Sequence, residues 1–449
     1  MGMRAELTIG EIHFASWKDE INPFILVLFS ESEKQISQQS RPLDAEDDLE
    51  EGEEGPFYSA RYATTVEALK ARLEFFGFTL EATRRVFKIA IEQEIEEIRR
   101  SIAMYEGRDW SDKDALKEVT NRYREKLEIM LRSEFDEWIE ALREAFRSPS
   151  WEFPSELRTL ADCFQPLNQF SYSRFPGSLD ERFRLRLELE VASDTEVAFD
   201  YSEFVNDGTY SPSDPMTKFA LDWLPAEARQ FSHIIVLTEG STDKFYLEAA
   251  MKLLRPELIQ YVSFLDFDGW NVAGGGSLLE SMVRSFAAAG IRDRIVAIFD
   301  NDAAGSASQA RLSQHALPGN IRILRYPDTE IARHYPTLGP SGSAVMDVNG
   351  SAASIELYLG EDVVRGDDGQ LIPIQWKAFE PSVKRYQGEI VDKRGCLKRF
   401  SEKLGRLNGG TGERDGPTWR DLLAITDSIL FAFTNADSDE LVEFARLNT

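Results

Sequence analysis

The chain has 449 residues and a formal net charge of −27, from 51 Lys and Arg against 78 Asp and Glu. That length leaves room for about two to four domains. A field this acidic excludes nucleic-acid binding through overall charge, so a polyanion would need a local basic face or a bound metal.

The two cysteines, Cys163 and Cys396, are too few for a disulfide scaffold or a zinc site and read as core filling in a reducing compartment. Glu6 and Glu11 stand where a leader would carry apolar residues, and the longest apolar run, 24–29, is too short to span a bilayer. A cytoplasmic protein with no membrane association is expected.

Residues 1–30 read as short strands. Residues 31–56 are polar and acidic, bury too little apolar surface to order themselves, and read as a loop. Ile91, Ile95, Ile98 and Ile102 then recur at helical spacing. So do Leu116, Val119, Tyr123, Leu127, Met130, Phe135, Trp138, Leu142 and Phe146, which predicts one long amphipathic helix of about 50 Å, antiparallel to the first in a bundle. Phe183, Leu185, Leu187, Leu189 and Val191 alternate with charged residues, as in a half-exposed strand. A Pro-, Ser- and Asp-rich stretch over 207–225 follows, in which Phe219, Leu221 and Trp223 suggest partial packing.

From His233 onward strand and helix patterns alternate: strand 234–238, helix 241–254, strand 262–266, helix 277–288, strand 294–299, a short helix, and strand 321–325. This order predicts a small parallel sheet with right-handed crossovers. Residues 341–449 contain the segment Ser354-Ile355-Glu356-Leu357-Tyr358-Leu359, a basic stretch, and a closing helix over 419–433. The expected fold class is α/β with a mainly helical N-terminal region: a small parallel sheet flanked by helices, preceded by a helical bundle with a few short strands. The expected domains are 1–226, 230–340, and an extension over 341–449 that completes the site.

The run Ile234-Ile235-Val236-Leu237-Thr238 ends in Glu239-Gly240, and Ile295-Val296-Ala297-Ile298-Phe299 ends in Asp300-Asn301-Asp302. Ligands collect at the C-terminal edge of such sheets, so these carboxylates should converge there. Residues i and i+2 of a strand end point the same way, so Asp300 and Asp302 can reach one cation with Asn301 turned aside. Asp243 falls in the first turn of the following helix, where the dipole favours an anion and Ser241 could cap. The set suits Mg²⁺, which prefers oxygen ligands. Taken alone, the Asp pair reads equally as a turn after a strand, and Glu239-Gly240 at a matching strand end favours the metal site.

Thr238-Glu239-Gly240-Ser241-Thr242-Asp243, the apolar strand ending in Asp300-Asn301-Asp302-Ala303-Ala304-Gly305, and the βα order between them resemble a Toprim domain. That is the metal-dependent catalytic fold of primases, topoisomerases and overcoming-lysogenization-defect nucleases. A helical region ahead of it resembles the HEPN/Toprim proteins, a group associated with bacterial anti-phage defence. The resemblance implies a Toprim domain at 230–340, a HEPN/Toprim-associated region at 1–226, and Mg²⁺ or Mn²⁺ as cofactor. It further implies Glu239, Asp300 and Asp302 as catalytic acids, with Asp243 and Glu356 as further metal ligands. A catalytic lysine is also implied, for which Lys393 is chosen and Lys398 lies close behind.

The chain shows no tyrosine-nucleophile motif, no primase Cys/His set and no P-loop, which leaves a metal-dependent endonuclease and a separately encoded ATPase or defence partner. DNA is favoured over RNA as the nucleic-acid partner, and a homo-oligomer is compatible. Active HEPN ribonucleases carry a spaced Arg/His pair. Here Arg229, Arg311 and Arg333 lie too close to His233, His315 and His334, so the N-terminal region is expected to assemble or to grip substrate. Gly274-Gly275-Gly276 lacks dinucleotide-binding spacing and reads as a flexible turn. Lys384, Arg385, Lys393, Arg394, Lys398, Arg399, Lys403 and Arg406 oppose only Glu389, Asp392 and Glu402, and form either a phosphate-gripping patch or a solvated helix face. Two alternatives remain: an inactive or regulatory Toprim that binds a nucleotide or partner, and a phosphatase of haloacid dehalogenase type.

Overall fold

The computed structural model describes residues 2–40, 56–107, 111–132, 134–147, 180–192, 196–225, 228, 233–265, 275–408 and 416–447. They form two compact units, one of residues 1–224 with 434–449 and one of residues 225–433.

The first unit is built on an antiparallel sheet of strands β1 (Arg4–Ile9), β2 (Ile12–Lys18), β3 (Lys34–Gln39), β4 (Phe57–Thr65) and β5 (Glu196–Asp200), in the order β2-β1-β5-β4-β3. The segment expected to be a loop over 31–56 therefore opens with an edge strand. Its Gln and Ser side chains stay largely exposed while its backbone pairs with β4, so order there comes from the ladder and not from burial. Residues 41–55 lie outside the described residues.

The unit also holds helices α1 (Val66–Phe75), α2 (Leu80–Glu106), α3 (Lys113–Met130), α4 (Phe135–Arg147) and α5 (Glu181–Val191), with the helix Thr434–Leu447 packed against α2. Two expectations are corrected here. The single long helix expected over 116–146 is two helices, α3 and α4, because the apolar period runs on from the end of one into the start of the other. The expected strand over 183–191 is α5, capped by Asp180. Its period-two pattern misled because the helix is buried on nearly every side, with the charged residues between the leucines paired along it: Arg186 with Glu190 at 2.7 Å and Arg184 with Glu188 at 3.5 Å.

The second unit carries an all-parallel sheet of β6 (Ile234–Leu237), β7 (Val262–Phe264), β8 (Arg294–Phe299) and β10 (Ile321–Arg325), in the order β10-β8-β6-β7. Helices α6 (Ser241–Leu254), α7 (Gly276–Ala289) and α8 (Ala303–Leu312) make the connections. Every residue of β8 is buried, as a central parallel strand requires. Leu237, Ile295, Ala297, Phe299 and Ile321 from the sheet pack with Leu279, Val283 and Leu312 from α7 and α8. The chain leaves β6 for β7 on one side and returns through β8 on the other, so the switch point of the sheet lies between the tips of β6 and β8.

Beyond this sheet, β11 (Tyr335–Gly339), β12 (Gly342–Met346), β14 (Ile374–Glu380) and β15 (Arg385–Ile390) form a second one, ordered β12-β11-β14-β15. A short ladder joins β9 (Asn301–Asp302) to β13 (Ala352–Ala353). Helices α9 (Lys393–Asn408) and α10 (Arg420–Leu430) follow. Cys396 is fully buried in α9, whereas Cys163 lies outside the described residues. Among the described residues no helix is long and apolar enough to cross a membrane.

Candidate metal and catalytic site

Glu239 and Asp300 stand at the tips of β6 and β8, across the switch point. Glu239 Oε1 accepts the backbone N–H of Asp300 at 3.0 Å. A Cβ on Gly276 would lie 3.2 Å from Glu239 Oε2, so glycine at the start of α7 lets that helix approach the acid. Gly275 donates its N–H to the Glu239 carbonyl, and Gly274 lies outside the described residues.

α6 begins with Gly240 as N-cap and no side-chain cap, so Ser241 does not cap it. Asp243 sits in its first turn, where the helix dipole favours an anion.

Asp302 caps α8: its Oδ1 accepts the Gly305 N–H at 2.7 Å, and its Oδ2 accepts from Gln387 Nε2 of β15 at 3.3 Å. A Cβ on Gly305 would run into the Asp300 carbonyl oxygen, which accounts for the glycine in Asp300-Asn301-Asp302-Ala303-Ala304-Gly305. Asn301 is turned aside and fully buried, bonded to Asp328, Asn349, Tyr358 and Gly350.

Pairing of β9 with β13 brings residue 356 to the strand tips. Glu356 is 2 % exposed in a single 3-10 turn, accepts from Ser354 Oγ at 2.6 Å and lies 3.9 Å from Lys393 Nζ at the start of α9. Lys398, the other candidate, is 79 % exposed and faces Glu402 of its own helix at 3.9 Å.

Electrostatics tie these groups together. Burial, then Asp302, pushes Glu239 up to about 7, against the Asp300 N–H and Lys393. Burial, then Glu356 and Glu239, pushes Asp243 up to about 7. Asp300 is raised well above the carboxylate range, by burial and then by Asp243, Glu239, Asp302 and Glu356. Asp302 is raised by burial, with its hydrogen bonds opposing. Burial works to lower the Lys393 ammonium, but Glu356, Asp300, Glu389 and Asp243 outweigh it and hold it raised.

Among the described residues no three His, Cys, Asp or Glu side chains form a ready-made metal-binding group. Asp302 and Glu356 are instead held by Gly305, Gln387 and Ser354. The donor set nonetheless fits a hard divalent cation. It is all oxygen, and Asp300 Oδ1 is buried with no hydrogen-bond donor among the described residues.

Three neighbours escaped the sequence reading. Gln387 holds Asp302 from a strand far along the chain. Tyr326, at the tip of β10, is buried beside the acids with its ring 5.3 Å from that of Tyr358, and its hydroxyl is raised by burial, then by Asp243 and Asp300. Asn301, a spacer by its place in the sequence, bonds the loops around the site. A strand-tip position was the one available signal for Tyr326.

The basic stretch is not one patch. Lys403 is 4 % exposed, donates to Leu359 O, Asp362 Oδ1 and Thr418 O at 2.8, 2.9 and 3.0 Å, and lies over Trp419. Arg399 donates to Val363 O at 2.7 Å and Arg385 to Asn349 O at 3.2 Å. Arg394 is exposed and, among the described residues, pairs with no acid.

No curated protein and no solved structure matches the chain. Residues 1–221 match the family model described as HEPN/Toprim N-terminal domain 1. That domain runs to within a few residues of the point where the first unit gives way to the acid-bearing sheet, so the first unit carries a HEPN/Toprim-type N-terminal domain.

Proposed function

We propose that the second unit is a Toprim-type nuclease that uses Mg²⁺ or Mn²⁺ to cleave nucleic-acid phosphodiesters, DNA in preference to RNA. The setting is anti-phage defence, which the resemblance implies. The observation that carries this reading is the orphaned Asp300 Oδ1, buried among acids whose mutual repulsion a cation would relieve. Glu239, Asp243, Asp300, Asp302 and Glu356 would hold the metal. When bound, it supplies positive charge to the attacking and leaving oxygens of the phosphoryl group.

The rest of the chemistry falls to the chain itself. Lys393 stands at the rim with its ammonium held protonated, ready to stabilise charge that develops on the scissile phosphate. Arg394 and Lys398, on the exposed side of α9, would position the backbone. Glu239 speaks against a haloacid dehalogenase phosphatase: it bonds the Asp300 N–H, a contact with no role in that chemistry. The first unit would assemble the protein or position substrate.

The test is incubation of the protein with plasmid, linear DNA and RNA, with and without Mn²⁺, beside Asp300→Ala. Metal-dependent cleavage by the wild type and none by the variant is expected. Equal cleavage by both would overturn the site. A folded wild type that cuts none of the three would overturn the nuclease.

A further inference from the structure

Asn301, between the two aspartates, has no reason from sequence to be more than a spacer. Its side chain nevertheless makes the densest set of contacts in the site. Nδ2, with two hydrogens to give, has four acceptors within range: Asp328 Oδ1 at 3.0 Å, Tyr358 Oη at 3.2 Å, Asn349 Oδ1 at 3.3 Å and Pro327 O at 3.4 Å. Oδ1 accepts the Gly350 N–H at 3.0 Å. A backbone N–H can only donate, so this last bond orients the amide.

The partners come from two loops and one turn. Pro327 and Asp328 follow β10, Asn349 and Gly350 precede β13, and Tyr358 lies two residues beyond Glu356. The loops are bonded to each other as well: Thr329 N–H donates to Asn349 Oδ1 at 3.0 Å, and the Tyr358 hydroxyl donates to Pro327 O at 2.6 Å. Asn301 thus bridges the strand tip that carries Asp300 and Asp302 and the turn that carries Glu356.

We infer that Asn301 is a positioning residue for the carboxylate cluster: its amide fixes the strand tip against both loops, so that acids from distant segments meet one cation. The inference rests on the metal-dependent reading above. Its discriminating feature is that both faces of the amide are used. A carboxylate of the same shape could still accept from Gly350 but would confront Asp328 Oδ1 and the Pro327 carbonyl with no hydrogen to offer.

The experiment is a double-mutant cycle of Asn301→Asp with Asp328→Asn, read by calorimetric titration with Mn²⁺ in the absence of nucleic acid and by steady-state cleavage. Asp328→Asn keeps an Oδ1 that can accept from Asn301, so alone it should weaken Mn²⁺ binding less than Asn301→Asp does. Asn301→Asp should weaken Mn²⁺ binding by about 10- to 100-fold, as expected for a residue that orients ligands. It should lower kcat with little change in KM. Adding Asp328→Asn restores a donor opposite the new carboxylate and should recover most of the lost affinity.

Wild-type Mn²⁺ affinity in folded Asn301→Asp would overturn the inference, and so would a double variant no better than Asn301→Asp. Wild-type protein that binds Mn²⁺ yet cuts no nucleic acid would overturn the nuclease alone, because the affinity comparison uses no substrate.

Discussion

Glu239 Oε1 accepts the backbone N–H of Asp300 at 3.0 Å, which ties the tip of β6 to the tip of β8. The acids around that bond are crowded out of water and against each other, and most of the expected behaviour follows from this crowding.

Metal-free stability should fall as pH rises. Glu239 and Asp243, both pushed up to about 7, bind more protons folded than unfolded between their ordinary range and that value. Stability is therefore greatest below the unfolded value and declines as pH rises toward the folded one. Glu239→Gln removes one of the repelling charges and keeps an oxygen to accept the Asp300 N–H. In chelator it should melt above wild type at pH 8, with the gap closing at pH 5, as thermal scans at both values will show.

Metal binding should show the reverse trend, because a ligand must lose its proton before it holds a cation. Mn²⁺ affinity should rise steeply from pH 6 to pH 8, with protons released on binding. Calorimetry in buffers of different ionisation enthalpy counts those protons, and a titration without proton release would contradict the raised values of Glu239 and Asp243.

Lys393 and its neighbours should separate into chemistry and grip. Lys393→Ala should lower turnover of bound substrate by about 10²-fold or more, with little effect on binding. Arg394→Glu with Lys398→Glu should instead weaken binding and flatten its salt dependence. Filter binding at several salt concentrations, set beside single-turnover rates, distinguishes the two.

Lys403 should behave as a structural residue despite its place in the basic stretch. Its buried ammonium holds Leu359 O, Asp362 and Thr418 O together, so Lys403→Ala should cost about 1–3 kcal/mol and leave the salt slope of binding unchanged. Denaturant unfolding measures the first and filter binding the second.

Gly305→Ala should damage the site through shape alone. The added methyl collides with the Asp300 carbonyl, a backbone atom that cannot swing away, and overpacking of this kind costs about 1–3 kcal/mol. Loss of Mn²⁺ affinity should exceed that of Gly319→Ala, whose added Cβ would meet nothing within 4 Å and whose backbone is not left-handed.

Much of the second unit is legible in the chain because its signals are local. The β-branched runs of β6 and β8 are buried on both faces, Glu239-Gly240 stops one strand and starts α6, and Asp300-Asn301-Asp302 marks the other tip. What escaped depends on distance along the chain. Gln387 reaches Asp302 across 85 residues and Gly350 reaches Asn301 across 49, and no window of sequence contains both ends. Lys403 looks like Lys398 until the buried face of α9 is known. In the first unit, α5 shows how alternation imitates a strand when the charged residues of a buried helix are neutralised by partners one turn away.

The ladder between β9 and β13 has a consequence for synthesis. Glu239, Asp300 and Asp302 emerge from the ribosome well before Glu356 and Lys393, and the segment that stitches them together, residues 351–353, emerges between. Because domains fold as units during translation, a nascent chain halted before residue 393 holds the strand-tip acids without the lysine, and one halted before 351 lacks the staple as well. A ribosome stalled midway through this message therefore carries the acids without the frame that holds them together.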